Sequence, residues 1–169
     1  PCRWRDDLSR RKLVIDRLGR SNLTVDKALE IAQETQGSFD PTVAPLVDRW
    51  GFLWKQYRLP SAEELAPLLE SVDYRLLKLD REQRTVTFLR HSVALDLNGI
   101  AKGFAVDVAV DKLRSFGISN AMVRAGGDLR ATGARPGQNA WTIQIEDPKK
   151  HARRRSLLLR EAAISTSGS

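Results

Sequence analysis

Apolar positions along this chain change their period several times, and each change marks an element. Over residues 93–97, Val93, Leu95 and Leu97 alternate with small or polar residues, the two-residue period of a half-buried strand. From Ile100 the spacing lengthens to that of a helix, with Ala101, Ala105, Val108, Ala109, Leu113 and Phe116 along one face. Asn98 stands where an N-cap belongs, and Gly117 stands where a left-handed residue closes a helix. Residues 93–115 therefore predict a strand, a tight glycine-bearing corner and a helix.

The same reading extends to the rest of the chain. Residues 1–22 are densely charged and predict a weakly packed helix or a displaced terminus. Ser21 or Thr24 can cap a helix over residues 25–35 whose Ala28, Leu29, Ile31 and Ala32 supply the buried face, with Gly37 after its end. Asp40 followed by Pro41 is an N-cap pairing. Val43, Leu46, Val47 and Trp50 then share one side of a short helix that Gly51 stops. Pro45 makes its first turn irregular or moves its start later. Residues 53–60 predict a loop with Trp54 and Tyr57 exposed. Ser61 and Glu64 have the spacing of a capping box for a helix to about residue 71. Residues 75–79 and 85–89 alternate around a turn at 80–83 and predict a hairpin. Short strands are expected at 120–124, 129–132, 141–146, 157–160 and 163–165. The fold class is α+β, a mostly antiparallel sheet backed by helices.

Composition narrows the functions open to such a chain. It has 169 residues, enough for one domain with a real core. Lys and Arg number 28 against 21 Asp and Glu, so the net charge of +7 suits an anionic ligand or partner. Nucleic acid would satisfy that charge, but the four Trp, five Phe and two Tyr are too scattered for base-stacking platforms. The basic run at 149–155 lies between strand candidates and reads as a solvated turn. Cys2 is the lone cysteine, which excludes an internal disulfide and a cysteine-built metal site. No apolar run is long enough to span a bilayer. His91 and His151 lie in loop-like contexts, and HExxH, CxxC and the phosphate-binding GxxxxGK[ST] pattern are all absent.

What remains is a corner at residues 98–103, two aspartates (Asp40 and Asp96) and a hydroxyl cluster of Thr166, Ser167 and Ser169. Lys102 falls in the first helical turn, where a cation opposes the macrodipole at a cost of about 0.3–1 kcal/mol. Bare helix-start amides, Gly99, Gly103 and a lysine together form a setting for a phosphate. On the residues alone a second reading stands beside it, in which Asp96 and Asn98 cap the helix and Lys102 points to water.

The wording of these segments adds a resemblance. DLNGIAKGFAVD, within residues 93–115, closely resembles the DLGGIAKGYAVD signature of the ApbE family, the FAD:protein FMN transferases. GSFDPTVAPLVDRWGF, VRAGGDLRATG and ISTSGS resemble three further blocks of that family in order and spacing. The resemblance implies a T-fold-related domain that binds FAD with Mg2+, cleaves its diphosphate and passes the FMN half to a threonine hydroxyl of an acceptor flavoprotein subunit. It implies FAD contacts at Ser38, Phe39, Asp40, Asp96 and Lys102, and a magnesium contact through the Gly99 carbonyl. No catalytic residue is assigned. Gly126, Gly127 and Asp128 are expected to be structural, and Trp50 and Phe52 to be core.

Two other readings share the resemblance: an FAD pyrophosphatase releasing FMN and AMP, and a non-catalytic flavin-binding module. The family's later aspartate and threonine magnesium ligands and its histidine block find no counterpart here, and Ser169 stands where aspartate is commoner. The chain is thus expected to be a single domain over residues 1–169, incomplete at both ends and holding one wall of the site. The resemblance also implies the periplasmic side of a bacterial inner membrane, attached through a lipid anchor outside this chain.

Overall fold

The computed structural model of the protein describes residues 12–14, 21–145 and 155–167. These fall into two compact units, residues 1–99 and 100–169. The architecture is α+β, with antiparallel sheets and helices in element order.

In the first unit, strands β1 (Lys12–Val14), β2 (Leu77–Asp80) and β3 (Thr85–Phe88) form an antiparallel sheet in the order β1-β3-β2. β2 and β3 are the expected hairpin, and the Asp80 carboxylate accepts the Gln83 N–H across its turn at 2.8 Å. β1 replaces the helix or loose terminus expected there. Its pairing is long-range, Leu13 opposite Val86, and three residues are too few to show a period. Helix α1 (Ser21–Glu34) begins four residues earlier than expected and buries Val25, Ala28 and Ala32. Val25 joins Leu77, Val86 and Val93 in the core of this unit, with Leu29, Leu79, Phe88 and Leu95 packed around them.

Helix α2 is short, Ala44–Arg49, and starts after the Asp40-Pro41 pair rather than on it. A helix begun at Pro41 would place Pro45 in its interior, where the ring clashes with the carbonyl four residues back. Helix α3 (Ala62–Leu69) carries the expected capping box. Glu64 N–H reaches Ser61 Oγ at 3.3 Å, and Ser61 N–H reaches Glu64 Oε2 at 2.9 Å. The loop between them exposes Trp54 and Tyr57 as expected, but Phe52 is also 58% exposed. It packs edge-on to Tyr57 at 5.5 Å between ring centroids, and so belongs to the loop and not to the core. Residues 93–97 do not form the expected strand. Ala94 alone bridges Val43 in parallel, because the partner chain turns into α2 one residue later.

The second unit opens with most of helix α4 (Asn98–Ser115), whose end is the expected glycine motif. Ile118 N–H bonds Leu113 O at 3.1 Å and Gly117 N–H bonds Arg114 O at 2.9 Å, with Gly117 at φ 79°. Its fully buried residues are Val106 and Val110, whereas Ala105 and Phe116 of the expected face are exposed. Apolar residues occur nearly all round this helix, so spacing alone does not select a face.

Strands β4 (Ala121–Ala125), β5 (Asp128–Thr132) and β8 (Ala162–Ser165) pair antiparallel in the order β4-β5-β8. β6 (Trp141–Ile145) and β7 (Arg155–Leu159) form a separate ribbon. All five expected strands are present within a residue or two. Leu129, Ala131 and Leu159 form the buried centre, with Trp141, Ile143, Ala162 and Ile164 against it. Most of the basic run, residues 149–154, lies outside the described residues, as do Cys2, His151 and Ser169.

Candidate functional site

The segment 39–41 and the corner 96–99 meet in the first unit. Asp96 N–H donates to Pro41 O at 2.8 Å. The Phe39 ring lies over Gly99, where a Cβ would approach Phe39 Cε2 to 3.0 Å. The corner itself is an aspartate turn: Asp96 Oδ1 accepts Asn98 N–H at 2.8 Å, and α4 starts on Asn98. The expected cap is therefore displaced by two residues, with Asp96 satisfying a helix-start amide in place of Asn98. Asp96 Oδ2 has no hydrogen bond among the described residues.

Asp40 is used internally. Its Oδ1 accepts Thr42 N–H at 2.8 Å and the Thr42 hydroxyl at 2.6 Å, while Oδ2 accepts Tyr74 N–H at 2.8 Å. Tyr74 is presented by a single 3₁₀ turn, Tyr74–Leu76, that Asp73 caps through Arg75 N–H. The Arg75 guanidinium beside Asp73 holds its carboxyl below the usual aspartate value. Sequence reasoning missed this link, because Tyr74 contributes a main-chain amide that any residue type would carry.

Ser38 is exposed and Phe39 half-buried beside Asp40. Lys102 lies one turn into α4, exposed and without an ion pair among the described residues. No acidic residue occupies that first turn, and the carboxylate at this helix start is that of Asp96, just before it.

In the second unit Gly127 and Asp128 meet Ser165 and Thr166. Thr166 N–H donates to Gly127 O at 3.0 Å, the Thr166 hydroxyl to the same oxygen at 3.2 Å, and the Ser165 hydroxyl to Asp128 Oδ1 at 2.5 Å. A Cβ on Gly127 would fall 2.1 Å from Thr166 O. The structural role expected for Gly127 and Asp128 is what these bonds describe. Nearby, Glu161 accepts Gly133 N–H at 2.6 Å and neighbours Thr132 Oγ1 and Arg114. The Gly133 amide first, then the Thr132 hydroxyl, hold its carboxyl below the usual glutamate value.

A cleft of about 360 Å³ in the first unit is lined by Pro45, Asp48, Arg49, Gln56, Arg58 and Leu68. It contains none of the residues singled out by the sequence, and both arginines are already paired with Glu64. Among the described residues no three His, Cys, Asp or Glu side chains are grouped to hold a metal. No helix among them is long and apolar enough to cross a membrane.

A sequence profile of the ApbE family matches residues 22–169. The chain is 36% identical over 126 residues to an FAD:protein FMN transferase of Haemophilus influenzae, covering 72% of this chain and 36% of that protein. It is 35% identical over 152 residues to an FAD:protein FMN transferase of Vibrio cholerae, covering 85% of this chain and 44% of the relative. The chain thus spans less than half the length of these curated relatives. Among solved structures, the ApbE protein of Thermotoga maritima superposes with a TM-score of 0.81 at 33% identity, over 94% of this chain and 51% of that one. The apo flavinyl transferase ApbE of Pseudomonas stutzeri gives 0.80 at 28% identity, over 96% and 51%. With its four motif blocks inside the matched region and its fold shared with about half of each of these structures, the chain belongs to the ApbE family.

Proposed function

We propose that this chain is part of an enzyme that transfers the FMN moiety of FAD to a threonine hydroxyl on an acceptor flavoprotein, with Mg2+ as cofactor. The observation that carries the reading is the junction of segment 39–41 with corner 96–99, two separate family blocks joined by the Asp96–Pro41 hydrogen bond and the Phe39–Gly99 contact. FAD would be bound by Ser38, Phe39 and Asp40 from the first block and by Asp96 and Lys102 from the second. Lys102 is suited to the diphosphate, since its ammonium is exposed near a helix start and has no ion pair among the described residues. Asp96 can accept a ligand hydrogen bond through Oδ2 while Oδ1 holds the turn.

The donor set suits magnesium as far as it goes. The Gly99 carbonyl is a hard oxygen ligand, but the described residues hold no acidic cluster to complete an octahedral shell. Further oxygens would have to come from beyond the residues described. When bound, the ion would neutralise charge on the diphosphate oxygens as the bond between the two phosphates breaks. The chain's own task is to bind and orient, which dominates catalysis of phosphoryl transfer.

The test uses the whole enzyme of which this chain is proposed to be part, with FAD, Mg2+ and a threonine-bearing acceptor, followed by a denaturing gel. Flavin fluorescence that stays with the acceptor is the expected result. Release of FMN and AMP without labelling would move the reading to an FAD pyrophosphatase. FAD binding with neither product would make this a flavin-binding protein. Lys102→Glu should weaken FAD binding about tenfold and leave riboflavin binding unchanged, since riboflavin has no phosphate.

A further inference from the structure

Asp40 belongs to the segment assigned to FAD, yet its carboxylate is occupied from within. An ionised carboxylate offers about four lone-pair sites. Three are taken by Thr42 N–H, the Thr42 hydroxyl and Tyr74 N–H, at 2.6–2.8 Å. Those are the short lengths of charge-assisted bonds. Thr42 is fully buried, and Tyr74 lies 34 residues further along the chain. Asp40 therefore ties its own segment to a distant turn.

Its two chain neighbours carry the contacts to the corner. Phe39 covers Gly99, and Pro41 O receives Asp96 N–H. A residue anchored by three bonds between those two fixes where both of them sit.

We propose that Asp40 is a positioning residue. Its carboxylate locks residues 39–41 onto corner 96–99 and serves flavin-nucleotide binding through that placement and not as a direct ligand. This rests on the FAD-binding reading above and assigns the side chain a role different from that of a ligand.

Asp40→Asn keeps an oxygen for Thr42 and loses the acceptor for Tyr74 N–H, because the amide nitrogen there is a donor. Thr42→Val removes only the hydroxyl donor, at a buried residue that a ligand does not touch, and Thr42→Ser restores it. In the free protein, amide hydrogen exchange at Tyr74 should quicken about tenfold or more in Asp40→Asn while other protected amides keep their rates. FAD affinity of the folded protein should fall about tenfold in Asp40→Asn and about threefold in Thr42→Val. It should recover in Thr42→Ser, and the double variant Asp40→Asn/Thr42→Val should lose less than the product of the two singles.

A purely structural role would lower the unfolding midpoint without moving FAD affinity, and that result overturns the proposal. So does Thr42→Val binding FAD like the parent while Asp40→Asn fails, which is the signature of a direct ligand. Unchanged exchange at Tyr74 overturns the clamp itself. If the parent protein binds no FAD, the functional reading falls, and the exchange rates still decide whether the clamp exists.

Discussion

Two glycines of this chain stand at motif corners for different physical reasons. Gly99, in the first unit, is overlain by an aromatic ring, with Phe39 Cε2 3.0 Å from where a Cβ would be. Gly127, in the second, is overlain by main chain, with Thr166 O at 2.1 Å. A ring can swing aside by a few tenths of an ångström. A carbonyl that ends a strand pair cannot, because moving it breaks the Thr166 bond to Gly127 and shifts β8 against β5. The first corner is adjustable and the second is fixed, so one is suited to closing on a ligand and the other to holding a sheet together.

The largest expected effect tests the fixed corner. Gly127→Ala should destabilise the protein by about 3 kcal/mol, the upper range for overpacking, and a thermal melt should fall by roughly 10 °C. A change near zero would show that β8 can move and would erase the contrast.

A second test compares two buried threonines, one in each unit. Thr132 Oγ1 lies 3.0 Å from both Ser119 O and Glu161 Oε1 and accepts from Arg114, whereas buried Thr85 Oγ1 has no partner among the described residues. Thr132→Val should cost about 2 kcal/mol, since it leaves polar partners unsatisfied. Thr85→Val should instead stabilise by about 1 kcal/mol, by replacing an unsatisfied hydroxyl with a methyl of similar shape. Chemical denaturation of both variants checks the opposite signs.

Acid sharpens the comparison further. The folded-state carboxyl of Glu161 is held low by Gly133 N–H, and that of Glu64 by Arg58. Each contributes stability that is complete above the ordinary glutamate value of 4.5 and is lost as pH falls through the lowered folded value. Glu161→Gln should therefore flatten the acid limb of the stability curve without changing its shape above neutrality. Added salt should weaken the Glu64 contribution more, because its main partner is a charged side chain and not a main-chain amide. Denaturant midpoints between pH 3 and pH 6, at two salt concentrations, give both readings.

The smallest effect belongs to the adjustable corner. Gly99→Ala gains about 0.5–1 kcal/mol of helix propensity and loses a similar amount against the Phe39 ring, so stability should change little. FAD affinity should fall even so, because the ring no longer lies where the corner needs it. Equal loss of stability and affinity would make Gly99 as rigid as Gly127.

Local chemistry in the sequence foretold local structure well. The Ser61–Glu64 box, the hairpin turn at Asp80 and the Gly117 helix end were legible because each is completed within a few residues. The failures share one cause, in that a distant partner decided the outcome. β1 depends on a strand some seventy positions away, and residues 93–97 became a single bridge because α2 removed their neighbour. α4 is apolar on too many sides for its spacing to name the buried one. At the candidate site the residue types were legible through the family blocks, but the way Asp40 is used was not. Its most distant partner is an amide with no side-chain signature.

That last bond has an evolutionary consequence. The donor at position 74 exists whichever amino acid is encoded there, proline excepted, because it belongs to the peptide and not to the tyrosine. The part of position 40's constraint that comes from position 74 is thus tied to no codon there, unlike the part that comes from the Thr42 hydroxyl. Among descendants of this sequence, drift at position 74 should leave residue 40 untouched, and a lost carboxylate at 40 could not be repaired by any substitution at 74. Methods that infer contacts from correlated changes would pass over this pair, although it joins two segments 34 residues apart.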